Sequence, residues 1–405
     1  MSTLPADPAR VAPPGRLSTD DRAVPRLVVA TWAVLWLNTL TFLGTTIIPV
    51  PTAAGQLVTQ GSLPLALVLA LAANRGVVVR PHVILVLLTI LAVVALLTSI
   101  HNEYFMGSTF RAVRLVGFVV VLWLVSPWFG RRDMLLLRCH LWVLRGILAT
   151  VALGILVAPG TAFSFEGRLS GVLWPMLPPQ VAHYAAVLLG TTTLLWFCHV
   201  VRGRTAVATL VVAGGVLLAT HTRTALLGEV VGLVVASASL FLGHARVRRT
   251  SALGAVLGLL LATVFASQVT SWLMRGQSAE DAGQLTGRTK VWDQILAMHR
   301  PPLGEMFGNG MSNQSFNGLP IDSSWLATYV DQGWLGLFVD GAILLLLLLM
   351  AATHVRGPRR AVALFLVAYC IVASITETGL GTPSPYMLDL AVATALLVPE
   401  VQRRS

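Results

Sequence analysis

Residues 275–325 read RGQSAEDAGQLTGRTKVWDQILAMHRPPLGEMFGNGMSNQSFNGLPIDSSW, and residues 326–353 continue LATYVDQGWLGLFVDGAILLLLLLMAAT. A polar stretch holding Arg275, Arg288, Arg300 and the only lysine of the chain, Lys290, runs straight into an apolar helix long enough to cross a bilayer. Another apolar run, 251–272, precedes it. A long cationic, Gly/Asn-rich loop between two membrane helices decides the fold class. It also implies an anionic substrate handled from the face where the loop lies.

The rest of the chain agrees. Apolar residues make up 56% and charged residues 11%, far below the roughly 25% charged of a soluble domain. Apolar segments recur at about 27–49, 56–73, 82–100, 113–129, 137–158, 180–200, 205–220, 224–243, 251–272, 324–352, 361–378 and 385–399. One buried core cannot account for that repetition. The expected fold is an all-α polytopic membrane protein of about twelve spans, with a large external loop between the ninth and tenth. Residues 1–26 read as a disordered, Pro-rich cytoplasmic tail, residues 27–400 as one transmembrane domain, and 273–323 as the external loop. The first apolar run lacks a small-residue cleavage site and reads as a retained helix.

The net charge of +11 is carried almost wholly by arginine. With the N-terminus inside, most of these arginines fall on inside segments: Arg75 and Arg80, Arg131 and Arg132, Arg246 to Arg249, Arg356 to Arg360. Both termini are then cytoplasmic. The excess belongs to topology, and no basic helix with interleaved aromatics suggests nucleic-acid binding. Cys139, Cys198 and Cys370 are scattered and imply neither a disulfide framework nor a zinc site. No HExxH, P-loop or DxD-like site in an external loop is present, so no metal or cofactor is expected.

Within the loop, Val291, Trp292, Ile295 and Leu296 share one helical stripe, which predicts a short amphipathic helix lying on the membrane face. Thr286 is a candidate cap at its start, and Pro301 and Pro302 are expected to end it. The candidate site residues are few. A buried Arg costs at least about 2.5–3.5 kcal/mol in hydrocarbon, so Arg223, at a helix start, needs a partner or a ligand. A guanidinium fork suits phosphate oxygens. Arg288 opens the loop helix, where backbone N–H groups add to an anion site. Asp322 is either the cap of the tenth span or a general base. Arg168 is external, as are His221, two residues before Arg223, and Glu377 near the outer end of its span. Lys290 reads chiefly as a solvated charge. The intramembrane acids Glu229, Asp331, Asp340 and Asp389 read as partners of Arg145 or of polar contacts between helices.

Taken in order, the motifs resemble the bacterial O-antigen ligase / O-antigen polymerase superfamily. They are Gly167 to Gly171; Thr222-Arg223-Thr224-Ala225; Gly287-Arg288-Thr289-Lys290-Val291-Trp292; Pro302-Leu303-Gly304 with Gly308-Asn309-Gly310; and Asp322-Ser323-Ser324-Trp325-Leu326 followed by Asp331-Gln332-Gly333-Trp334-Leu335-Gly336. The resemblance implies a metal-independent, inverting glycosyltransferase in the bacterial cytoplasmic (inner) membrane. Its donor would be a glycan on a polyprenyl-diphosphate carrier, and its acceptor a glycan or glycolipid. Arg223 and Arg288 would hold the diphosphate and Asp322 would take the acceptor proton. Arg168, His221, Lys290 and Glu377 would line the substrate cavity among the membrane lipids. Ligases of this kind carry His where this chain has Asp322, a departure that leans toward chain extension over ligation and admits His221 or Glu377 as the base. The competing expectation is a lipid-linked oligosaccharide transporter (flippase), which suits the span count but not the long loop.

Overall fold

The computed structural model describes residues 19–42, 46–47, 51–102, 104–241, 243, 245–274 and 288–400. The expected cap Thr286, the loop cation Arg275 and residues 1–18 of the expected tail lie outside the described residues.

Sixteen described helices follow from the apolar runs. They are α1 (Thr19–Thr39), α2 (Thr52–Ala73), α3 (Val83–Ile100), α4 (Phe105–Val125), α5 (Leu135–Val157), the single turn α6 (Pro159–Ala162), α7 (Pro178–Phe197), α8 (Gly203–Ala219), α9 (Arg223–Leu240), α10 (Ala245–Val264), α11 (Ala266–Met274), α12 (Arg288–Ala297), α13 (Pro302–Phe307), α14 (Ser324–Thr353), α15 (Pro358–Thr376) and α16 (Pro385–Leu397). Among the described residues, seven helices are long and apolar enough to cross a membrane: α2, α3, α4 with the turn after it, α5, α9, α14 and α15. The fold is that of an all-α, multi-pass membrane protein. Two further expected spans are shorter apolar helices, α8 and α16. The first is displaced: α1 begins at Thr19 within the expected tail and ends at Thr39, where a span to residue 49 was expected.

The centre of the bundle is α7, α15 and α16, whose side chains are buried nearly all round. Such an all-apolar helix belongs inside a bundle. By contrast, α8 and α10 leave Val207, Leu210, Val211, Val256 and Leu260 exposed, as lipid-facing surfaces do. Small residues set how closely the central helices approach. A Cβ on Gly232 would come within 2.8 Å of the Phe365 ring, so α9 and α15 pack only because it is absent.

Two of the buried acids meet partners other than Arg145. Asp389 on α16 makes a polar contact between helices, 2.9 Å from His140 Nε2 on α5 and 3.3 Å from His183 Nε2 on α7, all three fully enclosed. Asp340 accepts from Thr328 Oγ1 at 2.8 Å. Arg145 instead lies over the Trp142 ring.

A kink in α14 meets the later part of the polar stretch. Gly333 in α14 has φ +65°, breaking the helix and leaving the Val330 and Asp331 carbonyls without helical partners. The loop supplies them: Asn309 N–H donates to Val330 O at 3.1 Å and Gly310 N–H to Asp331 O at 3.0 Å. The fit is backbone against backbone. A Cβ on Gly308 would lie 2.3 Å from Asp331, and one on Gly333 2.5 Å from Glu305 O. Arg300 adds to the same joint, donating to Tyr329 O at 3.0 Å with its guanidinium 4.2 Å from the Tyr329 ring centroid. The two Gly-containing motifs are thus halves of one interlock.

Helix α12 differs from expectation in what it faces. Val291 and Ile295 are buried against Ile321 and Ala327, while Leu296 is exposed. Val291 and Ile295 dock on the chain's own α14 entry, where a two-stranded hairpin brings Ile321 beneath them. Strands β1 (Ser315–Phe316) and β2 (Leu319–Pro320) pair antiparallel around Asn317 and Gly318, both at positive φ, the turn that an Asn-Gly pair favours. The helix stops at Ala297, before the prolines, and Pro302 opens α13.

Candidate functional site

Four segments converge at one end of the bundle. The first is the turn ahead of α7 that carries Arg168. The second is the start of α9 with Thr222 and Arg223. The third is the start of α12 with Arg288, and the fourth joins the entry of α14 to the exit of α15. The joins are polar. Arg168 Nε donates to Thr220 O at 3.0 Å and its Nη2 to Thr222 Oγ1 at 3.2 Å. Thr224 Oγ1 and Thr376 Oγ1 share a hydrogen bond of 2.6 Å. Ser324 Oγ donates to Glu377 O at 2.8 Å, and Trp325 Nε1 to Ser374 Oγ at 3.0 Å.

Arg288 Nε donates to Asp322 Oδ2 at 3.1 Å, with both side chains partly exposed. Asp322 is therefore not the cap of α14. That position belongs to Ser323, and Asp322 has φ +45°, which turns its carboxylate toward α12. Glu377 lies within electrostatic reach of three of these charges. Burial pushes its carboxyl up to about 7; the Arg288 charge pulls it down, Asp322 pushes it up, and Arg168 pulls it down. Burial likewise lowers the Arg168 guanidinium, with Glu166 and Glu377 opposing and Arg288 adding to the effect. Two guanidiniums and two carboxyls, with Arg223 at the neighbouring helix start, make a part-buried cluster of mixed charge. One of its carboxyls is poised to exchange a proton near neutrality.

The structure thus brings together Arg168, Arg288, Asp322 and Glu377, and ties Arg168 to the residue before Arg223. It does not bring in Lys290, which is exposed and makes no ion pair among the described residues. His221 has φ +49° and stacks on Trp272 with ring centroids 5.2 Å apart. That ring contact fixes its plane beside the cleft. Thr222, Thr376 and Ser324 had no role in the sequence reading beyond their motifs; their hydroxyls seam the segments together. Only Thr222, adjoining Arg223, carried a signal, since a hydroxyl flanking a buried cation is a ready acceptor.

Among the described residues, no cluster of His, Cys, Asp or Glu is arranged to hold a metal ion. Neither a protein-family model nor a curated protein matches this chain.

Proposed function

We propose that the protein is a glycosyltransferase that moves a glycan from a polyprenyl-diphosphate carrier to an acceptor hydroxyl, acting as a glycan polymerase more than as a ligase. The observation that carries this reading is the convergence of Arg168, Arg288, Asp322 and Glu377 beside Arg223, from segments far apart in sequence. In this reading the chain makes about twelve spans in a bacterial cytoplasmic membrane, both termini inside, with the cleft on the outer face.

The chemistry follows from the charges. The acceptor oxygen attacks the anomeric carbon as the bond to the diphosphate oxygen breaks, so the configuration inverts. The electron pair leaves with the diphosphate, where Arg288 and Arg223 offset the developing negative charge. Charge-assisted hydrogen bonds of this kind contribute roughly 1.5–3 kcal/mol each. The acceptor proton goes to Glu377, whose raised carboxyl is better matched to neutral pH than an ordinary Asp of pKa about 3.9. Asp322, engaged by Arg288, orients that guanidinium. This reading takes one of the bases the sequence left open.

The test is transfer in detergent from a synthetic polyprenyl-diphosphate oligosaccharide, with divalent metal chelated. Lipid diphosphate release and product length are read together for the wild type and Arg288→Ala. Release with longer glycan, lost in the variant, supports polymerisation, whereas release only with a distinct acceptor makes the protein a ligase. No release across several donors turns the reading to the transporter.

A further inference from the structure

A groove of about 900 Å³ runs between the α3–α4 turn and the loop around the hairpin. Its walls are Asn102, Tyr104 and Arg111 on one side and Ser312, Asn313 and Asn317 on the other. A second hollow of about 920 Å³ adjoins it across Asn102 and Tyr104, with Val94, Leu97, Leu303 and Phe307 in its walls. Phe105, Met106 and Met311 bring apolar surface to the first groove as well. The hairpin half offers amides and hydroxyls, neutral groups that both donate and accept. It also offers Tyr104, 80% exposed and available as a flat apolar platform with a polar tip. Arg111 is the one charged side chain among the described wall residues. A lining of amides, hydroxyls, aromatic rings and methionines suits a ligand rich in hydroxyls and apolar on one face of each ring.

We infer that the groove between the α3–α4 turn and the 311–318 loop is a saccharide subsite that holds the sugar chain apart from the phosphate cleft. The wall is preformed. Asn102 Nδ2 donates to Asn309 O, Met311 N–H to Ser99 Oγ at 2.9 Å, and Gln314 N–H to Ser312 Oγ at 3.0 Å. It also leads to the chemistry: β1 belongs to the groove wall, and β2 runs on through Ile321 to Asp322 and its Arg288 partner. A chain lying along the hairpin points an end toward the cleft. The inference deepens the transferase reading and rests on it for the presence of a glycan.

The test is equilibrium binding of lipid-free maltotetraose, chitotetraose and mannotetraose to the full-length protein in a sugar-free detergent, by calorimetry. At least one is expected to bind. Its Kd should rise by about tenfold or more in Tyr104→Ala and in Asn317→Gly. Both positions are exposed, and glycine keeps the positive φ that the hairpin turn needs at 317. Binding should be unchanged in Arg288→Ala and should resist competition by inorganic pyrophosphate. Absence of binding by all three sugars, displacement by pyrophosphate, or indifference to both groove substitutions would overturn the inference. The measurement needs no turnover. Loss of transfer with intact sugar binding, or the reverse, separates a failed cleft from a failed groove.

Discussion

The Arg288 guanidinium donates to Asp322 Oδ2 across 3.1 Å, closing a loop of 34 residues between the start of one helix and the entry of another. The contact sets where the cation points, since a guanidinium held on one edge presents its other edge to the cleft. Removing either partner has a different consequence, and the difference is measurable.

Arg288→Ala should lower lipid diphosphate release by about 100-fold or more, the usual cost of deleting a group that stabilises a developing anion. Asp322→Asn, which leaves the guanidinium in place with a weaker tether, should cost less. Lys290→Ala should leave the rate near that of the wild type, because the side chain is exposed. Equal losses at all three positions would point to a general collapse of the loop.

Glu377 should give the transfer rate an acidic limb. A base works deprotonated, so the rate should rise with pH through about 7 in the wild type. In Glu377→Gln that limb should vanish along with most of the activity. Asp322 pushes the Glu377 carboxyl up, so Asp322→Asn should move the limb to lower pH. A limb that stays put in Glu377→Gln would assign the proton acceptor elsewhere, His221 first.

Gly333→Ala should destabilise the protein by about 1–3 kcal/mol, because the residue has φ +65° and its new Cβ would meet Glu305 O at 2.5 Å. Gly341 on the same helix has open space around it, and Gly341→Ala should be close to neutral. Thermal midpoints of the two variants in one detergent make the comparison. Similar midpoints would mean that the loop interlock adds nothing to stability.

Asp389→Ala should cost about 1–3 kcal/mol, the penalty for leaving buried polar groups without partners, here His140 and His183. Asp389→Asn, which keeps an acceptor oxygen, should cost less. Thermal unfolding followed by tryptophan fluorescence suits the test, since Trp36 stacks edge-on to His140 with ring centroids 4.9 Å apart. Equal stability of Asp389→Ala and wild type would show the three side chains to be dispensable.

The seven long helices were legible because each is an apolar run of membrane length, a property of consecutive residues. So were the candidate cations, since arginines beside helix ends stand out in a chain with 11% charged residues. What escaped is pairing across helices. Nothing in the spacing of His140, His183 and Asp389 announces that α5, α7 and α16 meet there. The stripe of α12 had a readable face, but periodicity names a face and never its partner, and Ile321 lies beyond the intervening loop. The α1 boundary slipped because residues 40–51 are apolar enough to prolong a span, yet Leu40 and its neighbours leave the helix at Thr39. From its place before α14, Asp322 reads as either a cap or a base; its positive φ, invisible in sequence, sends it to Arg288.

The cleft draws Arg168, Arg223, Arg288, Asp322 and Glu377 from segments that leave the ribosome at widely separated times. Glu377 emerges last of the five, after all of α15. A nascent chain that ends before α15 therefore holds the three arginines without that carboxyl. On the proposed reading, transfer starts only once the end of α15 reaches its neighbours, so the order of synthesis would keep a half-built copy silent.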